Sequence, residues 1–278
     1  MVDITLMREY NKSMNSFLAN RIAFSIGNFD VYYYGLIITS AIILAFGLAF
    51  LFCKKRGFNK DFPFDLLLAV VPLGIVGARL FYIAFDSSLT IADFFLFREG
   101  GMSILGSLIG GAIGLCILCL YRKKNFFDIA DVLVPLVLMC QAIGRWGNFF
   151  NEEVYGALIT DPAMQWFPLA VNIGGEFYQA LFFYEFVLNT IGTILLIVLL
   201  YKVKQRGIVL GAYLVWYGTV RFSLETLRQP EYILKWGTIP ASQLFSGIMI
   251  VIGIALLVTF IIIAVKKKKA IAGGRTGV

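Results

Sequence analysis

Long apolar runs separated by short polar stretches, many of them basic, set the pattern of this chain. Seven runs approach the roughly 20 residues that a helix needs to cross a bilayer core about 30 Å thick. They are Val31–Phe52, Phe64–Phe85, Met102–Tyr121, Ile129–Gly144, Ala180–Tyr201, Ile208–Leu224 and Leu244–Val265. The fourth and sixth are short, and each ends on an arginine, Arg145 or Arg221, past which the helix can continue. The pattern predicts an all-α polytopic membrane protein, a single seven-span transmembrane domain over residues 1–278. A small extracytoplasmic head is expected from the loop over residues 146–179, after the fourth span. The first thirty residues lack the basic start, apolar stretch and small-residue cleavage site of a secretory signal. Ser13 to Phe29 reads as a short interfacial helix.

Composition supports lipid as the solvent. Of 278 residues, 59% are hydrophobic and 15% charged, against about 25% charged in an ordinary soluble domain. The net charge is +7, and its placement is more informative than its size. Lys54, Lys55, Arg56 and Lys60 follow the first span, and Arg122, Lys123 and Lys124 follow the third. Lys202, Lys204 and Arg206 follow the fifth, and Lys266 to Lys269 with Arg275 follow the seventh. More than half of the 24 Lys and Arg residues therefore lie on one set of alternating loops. The positive-inside rule makes those loops cytoplasmic, which puts the N-terminus outside and the C-terminus inside. Topology accounts for these clusters, and no nucleic-acid partner is expected. The absence of histidine excludes Ser–His–Asp and Cys–His catalysis and His-ligated metals. Cys53, Cys116, Cys119 and Cys140 lie in or beside apolar runs and read as small buried hydrophobes.

The polar residues inside the spans carry the candidate chemistry. An ionisable side chain at the bilayer centre costs about 2.5–3.5 kcal/mol on insertion scales. With the spans oriented, Arg79, Arg145 and Arg221 fall toward the outer ends of spans two, four and six. Tyr34, Gly100–Gly101 and Glu185 fall toward the outer ends of spans one, three and five. This shared depth predicts one outward-facing site. Arg221, Glu225 and Arg228 recur at i, i+4 and i+7, one helix face. Two guanidiniums flanking one carboxylate leave positive charge, and guanidinium donors match phosphate geometry. Gly110, Gly111 and Gly114 suit close helix packing, whereas Gly100–Gly101 sits where a ligand would need a flexible way in.

The stretch Gly144-Arg145-x-Gly147-Asn148-Phe149-x-Asn151-x-Glu153-x-x-Gly156 resembles the signature of the phosphatidylglycerol–prolipoprotein diacylglyceryl transferase family. Tyr34-Gly35, Gly77-x-Arg79-Leu80, Gly100-Gly101-Met102-Ser103, Tyr184-Glu185 and Arg221-x-x-x-Glu225-x-x-Arg228 match in family order, over about residues 30–265. The resemblance implies transfer of the diacylglyceryl group of phosphatidylglycerol to the lipobox cysteine of a preprolipoprotein, on the outer side of the bacterial cytoplasmic membrane. It implies no metal and no other cofactor. In such a reaction Arg145 and Arg228 would hold the phosphate and Arg221 would orient Glu225. Asn148 and Asn151 would bind the head group or shape the loop. Glu153 or Glu225 would accept the thiol proton, or Tyr34 would relay it. Arg79, Gly100, Gly101 and Glu185 would complete substrate binding. Five residues depart from the family pattern. Leu105 stands where a histidine or tyrosine is usual, Ser107 and Ala78 replace glycines, and Gln179-Ala180 replaces His-Pro. These departures, Leu105 above all, leave room for an alternative: a non-catalytic protein of the same fold that binds an anionic phospholipid.

Overall fold

The computed structural model describes residues 21–27, 29–85, 90–95, 101–230, 233, 235–236 and 239–273. Gly100, Arg275 and the first part of the predicted interfacial helix lie outside the described residues. Seven helices follow the predicted runs: α1 (Tyr33–Lys55), α2 (Phe62–Phe85), α3 (Ile104–Arg122), α4 (Phe126–Phe150), α5 (Leu181–Lys202), α6 (Ile208–Glu225) and α7 (Ala241–Gly273). Six are long and apolar enough to cross a membrane. The sixth predicted span is a helix of 18 residues as expected, but with Arg221 and Glu225 in its last turns it is less apolar than the other six.

Burial is inverted relative to a water-soluble fold. Ile43, Leu68, Leu120, Val251 and Ile254 are exposed, while Arg79, Asp131, Gln141, Arg145, Glu185, Asn189 and Glu225 are buried. Exposed apolar helix surface with an ionic interior is what a bilayer selects, because lipid solvates leucine and excludes charge. Two predicted features are corrected. Residues Ile22–Ile26 (β1) are not helical but pair antiparallel with Phe29–Tyr32 (β2). Gly27, at φ +61°, permits the reversal between the strands. The fourth span also runs further, to Phe150, so the following loop begins later than expected. Arg145 and Asn148 find interior partners there, and the charge no longer ends the helix. Of the cysteines, Cys53 and Cys119 are buried, whereas Cys116 is exposed.

The chain packs as two compact units, one drawn from residues up to Ala45 and from Val134 onward, the other from Phe46–Leu133. In the second unit α2 and α3 meet through small residues. A Cβ at Gly110 would strike the Leu73 carbonyl oxygen, and one at Gly114 the Ala69 carbonyl oxygen. A Cβ at Gly111 would meet only Val70 Cγ1 at 3.4 Å. Gly110→Ala is therefore expected to destabilise by about 1–3 kcal/mol through overpacking, with Gly111→Ala near neutral. Thermal unfolding of the detergent-solubilised variants measures the contrast, and equal melting temperatures would refute it.

In the first unit the segment after α4 folds on a hairpin, Ala170–Ile173 (β3) with Glu176–Gln179 (β4). Gly174 and Gly175, at φ +61° and +95°, form its two-residue turn. An aromatic core seats the segment: Phe149, Val171, Ala180 and Phe182 are buried, with Trp146, Phe150, Phe167 and Phe183 packed around them. A short strand pair, Lys235–Trp236 (β5) with Ile239–Pro240 (β6), precedes α7.

Candidate active site

The last turns of α4 set the geometry. Because the helix continues past Gly144, Arg145 and Asn148 share a face, and Arg145 Nη1 donates to Asn148 Oδ1 at 3.2 Å. The chain then curls back, with the Glu153 N–H donating to the Asn148 carbonyl at 3.0 Å. The Asn148 and Asn151 amides donate to Glu153 Oε1 at 3.0 and 3.2 Å. Both neighbours of Glu153 are held in the left-handed region, Glu152 at φ +53° and Val154 at φ +59°. For a β-branched valine this is a costly conformation, of a kind that persists where surrounding structure enforces it. The turn thus presents a half-buried carboxylate in a fixed place.

The signature glycines are explained by close approach. A Cβ at Gly147 would lie 2.5 Å from the Tyr34 ring, so glycine lets α1 press Tyr34 against this turn. Tyr34 is there within electrostatic range of both Glu153 and Arg145. Gly156 forms an antiparallel bridge with Arg228. A Cβ at Gly156 would lie 2.7 Å from Gln179 Oε1. Gln229 Nε2 donates to the Gly156 carbonyl at 3.3 Å. The Arg228 backbone is thereby pinned beside the Arg145–Glu153 turn.

A buried ion cluster joins α4, α5 and the end of α6. Glu185 sits at its centre: Oε1 lies 2.9 Å from Arg145 Nη2, and Oε2 lies 3.8 Å from Arg228 Nη2 and 3.9 Å from Arg221 Nη1. Glu225 Oε2 lies 3.0 Å from Arg221 Nη2 and 3.4 Å from Arg228 Nε. Arg221 Nη2 also donates to Ser242 Oγ on α7 at 3.0 Å. Three guanidiniums face two carboxylates here, so the cluster carries excess positive charge. Its hydrogen bonding is incomplete on both sides. Arg221 Nη1 has no hydrogen-bond partner among the described residues, and neither have Glu185 Oε1 or the two Glu225 carboxylate oxygens, so the ion pairs are close in distance without hydrogen-bond direction. Burial, and then the charges of Arg221 and Arg145, pull the Arg228 guanidinium down to about 10, where it is still protonated at neutral pH. A bound anion would relieve that repulsion and give Arg221 Nη1 an acceptor.

Of the residues expected from the sequence, Tyr34, Arg145, Asn148, Asn151, Glu153, Glu185, Arg221, Glu225 and Arg228 therefore share one neighbourhood in the first unit. Arg79 and Gly101 belong to the second unit and partner each other. Arg79 is 2% exposed and spends its donors on the carbonyls of Asp93 at 2.7 Å, Gly101 at 3.0 Å and Phe94 at 3.3 Å. Gly101, at φ +73°, leaves no room for a Cβ beside Tyr82 and Arg79. Asp93 accepts from the Thr90 N–H and hydroxyl, which hold its carboxyl below the usual range. Ser103, bonded to Ala78, caps α3, and Leu105 follows in the first turn. Arg79 thus ties the backbone at Asp93, Phe94 and Gly101 to α2.

Sequence reasoning missed Tyr217, Gln141 and Asn189. Tyr217 is 3% exposed and sits against Arg145. Gln141 accepts from the Tyr213 hydroxyl at 3.4 Å. Each lies four residues from a member of the cluster, so the helical repeat carried the signal.

Comparison with known proteins places these residues in a family. A family model described as prolipoprotein diacylglyceryl transferase matches residues 21–259. A phosphatidylglycerol–prolipoprotein diacylglyceryl transferase of Clostridium botulinum (strain Loch Maree) is 39% identical over 257 residues, covering 90% of this chain and 99% of the relative. A Clostridium perfringens (strain 13) enzyme of the same description is 36% identical over 260 residues, covering 91% and 98%. A third, from Clostridium novyi, is 35% identical over 246 residues, covering 86% and 95%.

Proposed function

The chain belongs to the prolipoprotein diacylglyceryl transferase family, and we propose that its ion cluster carries out the group transfer from phosphatidylglycerol to a lipobox cysteine. The observation that carries the mechanism is the excess of buried guanidinium over carboxylate in the cluster. Arg145 and Arg228 hold the lipid phosphate, and Arg221 keeps Glu225 in place behind them. The cysteine sulfur attacks the glyceryl carbon that bears the phosphate ester. The new C–S bond forms as the C–O bond breaks, and the phosphate departs with that electron pair as glycerol phosphate. Guanidiniums already aimed at the phosphate lower the barrier by stabilising its developing charge. A free thiol has a pKa near 8.5, so a proton acceptor is required.

Glu153 suits that role better than Glu225. Glu225 is 1% exposed and already held by two guanidiniums. Glu153 is half-buried, positioned by Asn148 and Asn151, and has Tyr34 beside it to relay a proton. In this account the two asparagines shape the loop. Glu153→Gln should lower kcat about 10²–10⁴-fold, the usual share of a general base, while the KM for lipid stays nearly constant. An unchanged kcat would remove Glu153 from the reaction.

The basic segments at alternating helix ends support seven spans, α6 included. The N-terminus is then extracytoplasmic, the Lys266–Lys268 end cytoplasmic, and the segment after α4 an outer head at the bacterial cytoplasmic membrane. A translocated precursor presents its lipobox on that side. The reaction is tested by peptide-dependent release of glycerol phosphate from phosphatidylglycerol vesicles. Release is expected with a lipobox peptide and none with its Cys→Ser version. Equal release in both would indicate hydrolysis instead of transfer.

A further inference from the structure

One helical turn from the ion cluster lies a second, uncharged polar layer. Gln141 stands four residues before Arg145 on α4, Asn189 four after Glu185 on α5, and Tyr217 four before Arg221 on α6. Trp216 Nε1 donates to the Leu188 carbonyl at 3.1 Å, while Glu185 meets Arg221, so α5 and α6 run antiparallel. Asn189 is therefore level with Tyr217, and Tyr213 extends the layer inward through its bond to Gln141.

The layer is buried and under-bonded. Asn189 is 0% exposed and Gln141 8%. Neither Asn189 Nδ2, Asn189 Oδ1 nor Gln141 Nε2 has a hydrogen-bond partner among the described residues. Thr193 offers Asn189 no help, because its hydroxyl donates to the Asn189 backbone carbonyl at 2.8 Å. A carboxamide with both ends unbonded at membrane depth is costly unless a ligand supplies partners.

We propose that Asn189 and Gln141 recognise the glycerol arm of the lipid head group, and so select a glycerol phosphate ester over other phosphate esters. This rests on the transfer function proposed above. The occupant needs three properties. It must be uncharged, since Gln141, Asn189, Tyr213 and Tyr217 are all neutral. It must both donate and accept, since Asn189 lacks a partner for each. It must be tethered to an anion, since the guanidiniums lie one turn away, about 5.4 Å along the helix. Hydroxyls on a short carbon chain attached to phosphate meet all three. The same chemistry comes from the intact lipid and from free glycerol phosphate.

The test compares retention of phosphatidylglycerol and of phosphatidic acid with the same acyl chains, by native mass spectrometry of the purified protein. Phosphatidic acid offers the phosphate without the glycerol arm. Wild type should prefer phosphatidylglycerol about tenfold, the effect of one or two hydrogen bonds. Asn189→Leu should bring the ratio near one while holding phosphatidic acid within about twofold of wild type. Gln141→Leu, on a different helix, should shift the ratio the same way, and a retained melting transition identifies the folded variants. Free glycerol phosphate should compete with the lipid in wild type more strongly than in either variant. If the amides merely fill the interior, leucine stabilises the protein and keeps the preference, which would overturn the inference. So would a wild type that does not discriminate. Transfer measured on the same preparation separates the two levels. An active wild type whose variants keep their preference refutes only the glycerol contact. A wild type that binds neither lipid and transfers nothing refutes the function beneath it.

Discussion

Arg145→Ala and Arg228→Ala should each lower kcat/KM for diacylglyceryl transfer by about 10²–10³-fold, the range for removing one preorganised donor from developing negative charge. Arg145 joins Asn148 of the Glu153 turn to Glu185 of the ion cluster. Arg228 reaches the same cluster from a backbone pinned by Gly156. The fold should tolerate either loss better than catalysis does. Without Arg145, Glu185 still faces Arg221 at 3.9 Å and Arg228 at 3.8 Å. Arg145→Lys keeps the charge but not the paired donors, and should recover only part of the rate. Initial rates with phosphatidylglycerol and a lipobox peptide, alongside melting temperatures, separate activity from folding. Full activity in both alanine variants would exclude the phosphate clamp.

Glu185→Leu should have the largest effect on stability, about 3–5 kcal/mol, the cost of leaving buried charge without its counterion. Glu185 is 3% exposed and lies within 4 Å of three guanidiniums. Removing it leaves those guanidiniums with Glu225 alone. Removing a cation at the same time, in Glu185→Leu with Arg145→Met, should restore part of the loss without restoring activity. A double variant no more stable than Glu185→Leu would show that the pair does not act as a unit. Thermal unfolding in a single detergent measures all of these variants.

Much of this architecture was legible in the apolar runs, because a bilayer demands continuous apolar helix and tolerates buried charge only with partners. The Arg221, Glu225, Arg228 face and the Arg145 to Gly156 stretch point to the cluster from sequence alone. Glu185 is expected to bind substrate, and the structure sets it within 4 Å of three guanidiniums, a placement no sequence spacing shows. Arg79 shows where residue types stop being informative. Its partners are backbone carbonyls of Asp93, Phe94 and Gly101, and carbonyls leave no mark on composition. Residues 22–26 read as helix from sequence because a short strand beside a span offers too few residues for its alternation to stand out. Asn189 and Gln141 were readable in principle from their four-residue spacing to charged neighbours. They passed unnoticed because an isolated amide within an apolar run resembles ordinary helix.

Leu105 departs from the histidine or tyrosine that the family resemblance implies, so direct observation of the thioether is the measurement of most consequence. Purified protein, phosphatidylglycerol and a lipobox peptide are incubated without added metal or cofactor, and the intact mass of the peptide is recorded. One diacylglyceryl group on the cysteine of the peptide, absent from its Cys→Ser version and strongly reduced with Arg145→Ala, is the predicted result. An unmodified peptide in the presence of bound phosphatidylglycerol, with a histidine-containing relative active in parallel, would contradict the account.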